Sequence, residues 1–204
     1  MAYKYTVQTY DRWLAPWLPT VVGPAGTVLD LGCGPGLDSQ FLREQGLAVD
    51  ACDISEEAIA ESRKLNPGVR HMQADARDLA PYADGKFDLV VAGLSLHYFE
   101  REDSHRAFGA VHRVLKPDGF FLFRLNAWDD HEFGAPRDFH PWRILEESPV
   151  SRKQFFSDAM IRELLAGRFK LLSLEKKRSD RYQKPKSFYE GCAKRLAPDA
   201  GSTC

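Results

Sequence analysis

The run Val28-Leu29-Asp30-Leu31-Gly32-Cys33-Gly34-Pro35-Gly36 constrains this chain more than any other. Residues that read as an apolar strand, Thr27 to Leu31, pass straight into three alternating glycines. Leu37 to Gln45 then carries Leu37, Phe41 and Leu42 at helical spacing before Gly46 stops it. A strand that turns tightly into a helix is the opening unit of a sheet covered by helices. The alternation continues. Ala48 to Cys52 reads as a second strand, Ser55 caps a helix ended by Asn66-Pro67-Gly68, and Val69 to Gln73 reads as a third strand. Phe87 to Ala92 is apolar apart from Asp88, the pattern of a strand buried on both faces. Ser104 to Leu115 spaces Phe108, Val111 and Leu115 as a helix, Pro117-Asp118-Gly119 predicts a turn, and Phe120 to Leu125 a strand. Beyond an irregular aromatic stretch, 126–150, the pattern predicts a helix from Ser157 to Ala166, a strand Phe169 to Leu174, a charged link, and a last strand near Ser187 to Lys194. Residues 197–204 read as a loose tail. The expected class is α/β, one domain over 1–204.

Three readings of the glycine loop compete. It can be a tight turn with no ligand. It can be a degraded dinucleotide loop, since Gly34-x-Gly36-x-x-Ser39 is followed about 20 residues on by Asp53, where a ribose acid belongs. Third, Asp30, Gly32, Gly34 and Gly36 resemble the acid-x-Gly-x-Gly-x-Gly loop that binds S-adenosylmethionine. A carboxylate just ahead of the glycines sits badly beside a pyrophosphate. It is tolerable beside a sulfonium and an ammonium. Asp53 closes the second strand and can accept both ribose hydroxyls, unless it serves only as a helix cap. Asp75, ending the third strand, can accept from an adenine amine, with the Ala76 N–H offered to the ring; alone it is an ordinary loop acid.

Composition removes several classes. The chain has 204 residues with a formal net charge of −1, so no global field draws it to nucleic acid or an anionic membrane. No apolar run approaches the roughly 20 residues of a membrane span. The N-terminus lacks a signal-peptide pattern, so a cytoplasmic location is expected. Cys33, Cys52, Cys192 and Cys204 form no Cys-x-x-Cys pair and read as reduced thiols.

With these acids placed, the chain resembles the class I S-adenosylmethionine-dependent methyltransferases, particularly the bacterial small-molecule type that includes tellurite-resistance and quinone-biosynthesis enzymes. Val28 to Gly36 looks like the first family motif and Val49 to Ser55 the second. Asp75-Ala76 matches the adenine site. Phe87 to Tyr98 is similar to the fourth-strand motif, and Val114-Leu115-Lys116-Pro117-Asp118-Gly119-Phe120 to the turn before the fifth strand, with Asp118 in place of a glycine. The resemblance implies a Rossmann-like sheet in the order 3-2-1-4-5-7-6, the last strand antiparallel. It implies S-adenosylmethionine as cofactor, S-adenosylhomocysteine as product, and contacts from Asp30, Gly32, Cys33, Gly34, Gly36, Asp53, Ile54, Asp75, Ala76, Ala92 and Gly93. On that pattern 1–25 is a lid, 26–125 the cofactor core, 126–150 an acceptor cap and 151–195 the C-terminal helix and strands.

The acceptor is less legible. Ala92-Gly93-Leu94-Ser95 stands where relatives acting on DNA adenine or protein glutamine carry Asn/Asp-Pro-Pro-Tyr, so a small molecule is expected by exclusion. His97 is a candidate general base, set against a packed structural histidine, which is the commoner case. Tyr10, Tyr98, Trp128 and His131 are candidate pocket residues. Tyr5, Tyr10, Trp13 and Trp17 could share a helix that lids the cofactor, or pack on the core. The histidines and acids of 126–150 fit no metal-ligand spacing, so no metal is expected. Lys176-Lys177-Arg178, Arg181, Lys184 and Lys186 read as a solvated connection, with an anion or RNA site as the minority reading.

Two rivals remain. A nicotinamide-dependent reductase of the short-chain type needs a helical Tyr-x-x-x-Lys. Tyr82 to Lys86 straddles Asp84-Gly85, and Tyr182 to Lys186 contains Pro185, so neither is helical. A cofactor-binding protein without catalysis fits the motifs equally well. Calorimetry with S-adenosylmethionine, S-adenosylhomocysteine and NAD separates the first rival: the two methionine ligands should bind more tightly, and tighter NAD binding would reject the family.

Overall fold

The computed structural model describes residues 10–148 and 151–197. Seven strands form one sheet in the order β3-β2-β1-β4-β5-β9-β8. They are β1 (Thr27–Leu31), β2 (Ala48–Asp53), β3 (Arg70–Gln73), β4 (Phe87–Gly93), β5 (Leu115–Asn126), β8 (Phe169–Ser179) and β9 (Lys186–Arg195). A separate hairpin pairs β6 (Leu145–Ser148) with β7 (Ser151–Lys153). The helices are α1 (Leu18–Val21), α2 (Leu37–Glu44), α3 (Glu56–Leu65), α4 (Arg101–Val114) and α5 (Asp158–Leu165). Strands β1 to β5 run parallel, and β9 lies antiparallel between β5 and β8. Allowing for the extra hairpin in the count, this is the order that the resemblance implies. No described helix is long and apolar enough to cross a membrane.

Period-2 alternation sorts the strand side chains into two cores. Leu29, Leu31, Val90, Ala92, Phe121 and Phe123 face α4 and α5, whose Phe108, Val111, Ile161 and Leu164 recur at helical spacing. Val28, Val49, Ala51, Leu89, Val91 and Leu122 face the other way, toward Trp13, Leu14, Phe41 and Ile59. Asp88 is the one charge early in β4. Its Oδ2 accepts from the Thr27 amide at 2.8 Å and hydroxyl at 2.7 Å, and Lys116 Nζ closes the clasp at 2.8 Å.

Several sequence expectations change. Helix α4 begins at Arg101, one turn before Ser104. The Pro117-Asp118-Gly119 turn lies inside β5, as an irregularity opposite Phe87 to Leu89 with Asp118 at φ 63°. Leu37 is exposed, not core. The charged link after Leu174 is strand: β8 runs on through Lys176-Lys177-Arg178, with Lys177 paired to buried Glu190 at 2.6 Å. Lys186 is buried on Asp130. The basic stretch is therefore no loose connection. Tyr10, Trp13 and Trp17 share no helix; they precede the single turn α1, with Pro16 and Pro19 in the run. Tyr5 and residues 198–204 lie outside the described part.

Gly191 on β9 pairs with Phe123 on β5, and a Cβ there would stand 2.2 Å from the Phe123 ring. The ring of fully buried Phe123 fills that space, so it would have to shift within the core. Gly191→Ala should cost about 1–3 kcal/mol of stability, the range for overpacking a core, read as a fall in the urea midpoint.

Candidate functional site

The glycine loop is pinned before any ligand is considered. The Gly32 and Cys33 amides both donate to the Cys52 carbonyl, at 2.8 and 2.9 Å, which folds the loop across the ends of β1 and β2. Gly32, Gly34 and Gly36 all have positive φ, so each needs glycine on backbone grounds. Their surroundings differ. A Cβ on Gly32 would strike Ser95, whose hydroxyl bonds the Leu31 carbonyl at 2.6 Å, and one on Gly36 would strike Ser62. Only Gly34 faces open space. At two of the three glycines a side chain would meet protein atoms, and at Gly34 it would meet none within 4 Å, which leaves a cradle there.

Asp53 sits beside that cradle. Its Oδ2 accepts from the Gly34 amide at 3.1 Å and its Oδ1 from the Ser55 amide at 2.9 Å. The cap of α3 is Ser55, which accepts from the Ala58 amide. Asp53 is thereby oriented, keeps lone pairs for two further donors, and is not the cap. Ile54 follows it, exposed. Asp75 stands past the end of β3 with its carboxylate held by its near neighbour Arg77, at 2.6 Å from Nη2. Arg77 also reaches Asp103 at 2.9 Å. The Arg77 guanidinium holds the Asp75 carboxyl below its ordinary range. An adenine amine would find only the lone pairs that Arg77 leaves.

Two more acids lie deeper. Asp30 is buried and accepts from Ser39 Oγ at 2.5 Å. Burial, followed by the nearby charge of Asp38, pushes its pKa up to about 8. Asp38, in the first turn of α2, was not among the sequence candidates. Trp13 Nε1 donates to its Oδ1 at 2.9 Å, and its Oδ2 fills the place of a Cβ on Gly93, 2.5 Å away. Burial raises Asp38 too, against the hydrogen bonds and the Arg124 charge that lower it. Burial and the Asp38 charge lift the Tyr10 phenol far above its usual value. An acid directly after the loop was the available signal. No motif in the sequence marked it.

At the end of β4, Ala92 is buried and Gly93 leads into Leu94, whose φ of 60° is costly for a branched residue. The Leu94 amide bonds the Arg124 carbonyl. His97 is buried against Tyr98, and burial lowers it to about 3. Its Nδ1 has no hydrogen-bond partner. So weak a base gains little from position alone, and the packed reading fits it better. Tyr98 is exposed.

The aromatic stretch is strapped to the sheet. Buried Asp130 accepts from the Ser187 amide at 2.8 Å and pairs with Lys186 at 3.1 Å. An open groove of about 550 Å³ runs along Trp128, Arg137, Phe139, His140 and Ser157. Of the four expected pocket residues Trp128 lines it. His131 turns its Nδ1 to the Ala135 carbonyl, and Tyr10 packs on Phe41. Among the described residues no cluster could hold a metal ion.

Comparison with known proteins adds the family. Residues 29–123 match the methyltransferase-domain family. The chain is 32% identical over 149 residues to a malonyl-[acyl-carrier protein] O-methyltransferase of Enterobacter lignolyticus, covering 72% of this chain and 57% of that protein. It is 38% identical over 95 residues to the human mitochondrial arginine-hydroxylase NDUFAF5, covering 46% of this chain and 27% of that one. The chain spans about half the length of the first curated relatives it matches. A SAM-dependent methyltransferase of Methanosarcina mazei superposes with a TM-score of 0.76 at 20% identity, covering 87% of this chain and 96% of that one, a likeness of fold.

The raised Asp30 gives a pH signature. The unfolded chain releases this proton near 3.8 and the folded chain only near 8, so the folded state binds more protons between them. Its contribution is fully present below the unfolded value and is lost as pH rises through the folded one. The ligand-free protein should therefore melt lower at pH 8.5 than at pH 5.5, and Asp30→Asn should flatten that slope. An identical slope in the variant would remove Asp30 as its source.

Proposed function

Because the chain belongs to the class I S-adenosylmethionine-dependent methyltransferases, we propose that it passes the methyl group of that cofactor to a small nucleophile held between the ends of β4 and β5 and the stretch 126–148. The observation that carries the reading is the set of carboxyl groups round the loop. Asp30, Asp38 and Asp53 lie against it, and among the described residues no lysine or arginine bonds its backbone. Such a site repels a pyrophosphate and suits a sulfonium and an ammonium. The cofactor supplies a methyl on a positively charged sulfur.

The chain's own groups have separable tasks. Asp53, oriented by two amides, takes the ribose hydroxyls. Asp75 and Ala76 receive the adenine edge beside Ile54, and the open face of Gly34 lies beneath the ligand. Asp38, held by Trp13 against Gly93, supplies negative charge at the methionine end, and Asp30 backs it from below. Trp128 and Phe139 offer an apolar wall for the acceptor and help to exclude water. Transfer then depends on alignment and desolvation, and His97 takes no proton.

The likeness to a protein named a hydroxylase favours a second reading, that the domain binds the cofactor without moving its methyl group. One set of measurements separates the two. Asp53→Ala should weaken S-adenosylhomocysteine binding by about 2–4 kcal/mol, the value of two charge-assisted hydrogen bonds. A panel of thiols, amines, phenols and carboxylic acids should then yield turnover that falls in Trp128→Ala while cofactor affinity holds. Tight cofactor binding with no turnover on any acceptor would favour the second reading.

A further inference from the structure

The segment ahead of α1 places a carboxylate between two guanidinium groups. Arg124 stands near the C-terminal end of β5, opposite Gly93. It is buried, flat between the rings of Trp13 and Phe188 at 4.5 and 4.6 Å. Its Nε and Nη2 both donate to one oxygen of buried Glu190, at 2.9 and 2.7 Å, and Lys177 takes the other oxygen. The remaining arm, Nη1, reaches Asp11 Oδ2 at 2.7 Å. The second oxygen of Asp11 lies 2.9 Å from Arg181 Nη1, on the segment joining β8 to β9. That contact is an ion pair without hydrogen-bond alignment: Arg181 Nε and Nη1 are both buried and lack a hydrogen-bond partner.

Arg124, Lys177 and Arg181 face Glu190 and Asp11; Asp38, on the other side of the Trp13 contact, also feels the Arg124 charge, and Glu175 near Lys177 is 62% exposed. Withdrawing Asp11 would leave Arg124 Nη1 and Arg181 without the carboxylate they share. The geometry offers one carboxylate two cationic partners, and leaves Arg181 donors that Asp11 does not satisfy. Buried donors without partners are costly, and a carboxylate free to choose its own position would align with both groups.

We propose that Arg124 and Arg181 form a subsite for a carboxylate carried by the methyl acceptor, and that Asp11 is the chain's own stand-in, displaced when the acceptor binds. This rests on the reading of the β4–β5 side as the acceptor side, and it narrows the acceptor class to carboxylic acids. The Glu190–Lys177 pair fixes Arg124 from behind, the two aromatic rings keep its plane aimed, and Arg181 closes from the β8–β9 side.

The test titrates acetate, benzoate and glutarate, each against its amide, by calorimetry with and without S-adenosylhomocysteine. At least one acid should bind, and its amide should not. Asp11→Asn should bind that acid several-fold more tightly, because the internal competitor has lost its charge. Arg181→Gln should weaken it by about tenfold or more, the loss of a charge-assisted contact, with S-adenosylhomocysteine affinity unchanged. No binding of any acid to Asp11→Asn would overturn the proposal. So would an Arg181→Gln variant that loses S-adenosylhomocysteine instead, since the clamp would then hold the carboxylate of the cofactor. Acid binding that persists without any affinity for S-adenosylhomocysteine would keep the clamp and remove the transferase reading.

Discussion

Two amides on one carbonyl organise this molecule. By donating together to the Cys52 oxygen, Gly32 and Cys33 tie the end of β1 to the end of β2 and force the chain to reverse over the sheet. That reversal delivers Gly34 to Asp53, sets Gly36 at the start of α2, and carries Asp38 to Gly93 across the neighbouring strand. Each depends on positive φ at the glycines. Ser95 braces the arrangement from β4 through its bond to Leu31. The sheet order does the rest: β1 lies between β2 and β4, so their carboxyl ends meet in one crevice.

The site is acidic by construction. Burial raises the carboxyls of both Asp30 and Asp38, and each favours its protonated form more than a free aspartate does. The basic groups of the same crevice sit on the far side, on β5, β8 and the segment joining β8 to β9. The carboxyl groups of the crevice thus gather over β1 and the paired basic groups beside β5, although the whole chain is close to neutral.

Much of this was legible in residues. Short, mostly apolar runs marked β1 and β4 because both faces of these strands are buried. The sequence also pointed to Asp53, whose spacing from the loop follows from one helix and one strand. It misread β8 as ending at Leu174, because an edge strand carries charge on its solvent side and Lys176-Lys177-Arg178 looks like a link. The β6–β7 hairpin is short and went unseen for a similar reason. Glycines at 32 and 36 have a packing reason besides the ligand contact expected of them, since Ser95 and Ser62 fill the places their side chains would take. Arg124 and Asp38 were invisible for a different reason. Each is a single charged residue whose meaning comes from partners more than twenty positions away, Trp13 for one and Glu190 for the other.

The place of β9 has a consequence for assembly during synthesis. It lies between β5 and β8 yet is the last of the three to leave the ribosome. Until residues 186–195 exist, the outer edge of β5, with Phe121, Leu122 and Phe123 along it, has no strand to pair with, and an open apolar edge invites pairing with other chains. The antiparallel turn back from β8 shortens that interval, since β8 and β9 are close in sequence and can zip together before they dock. The sheet is thus closed by a hairpin added as a unit, and the nascent chain is most exposed to misassembly in the interval between the emergence of β5 and that of β9.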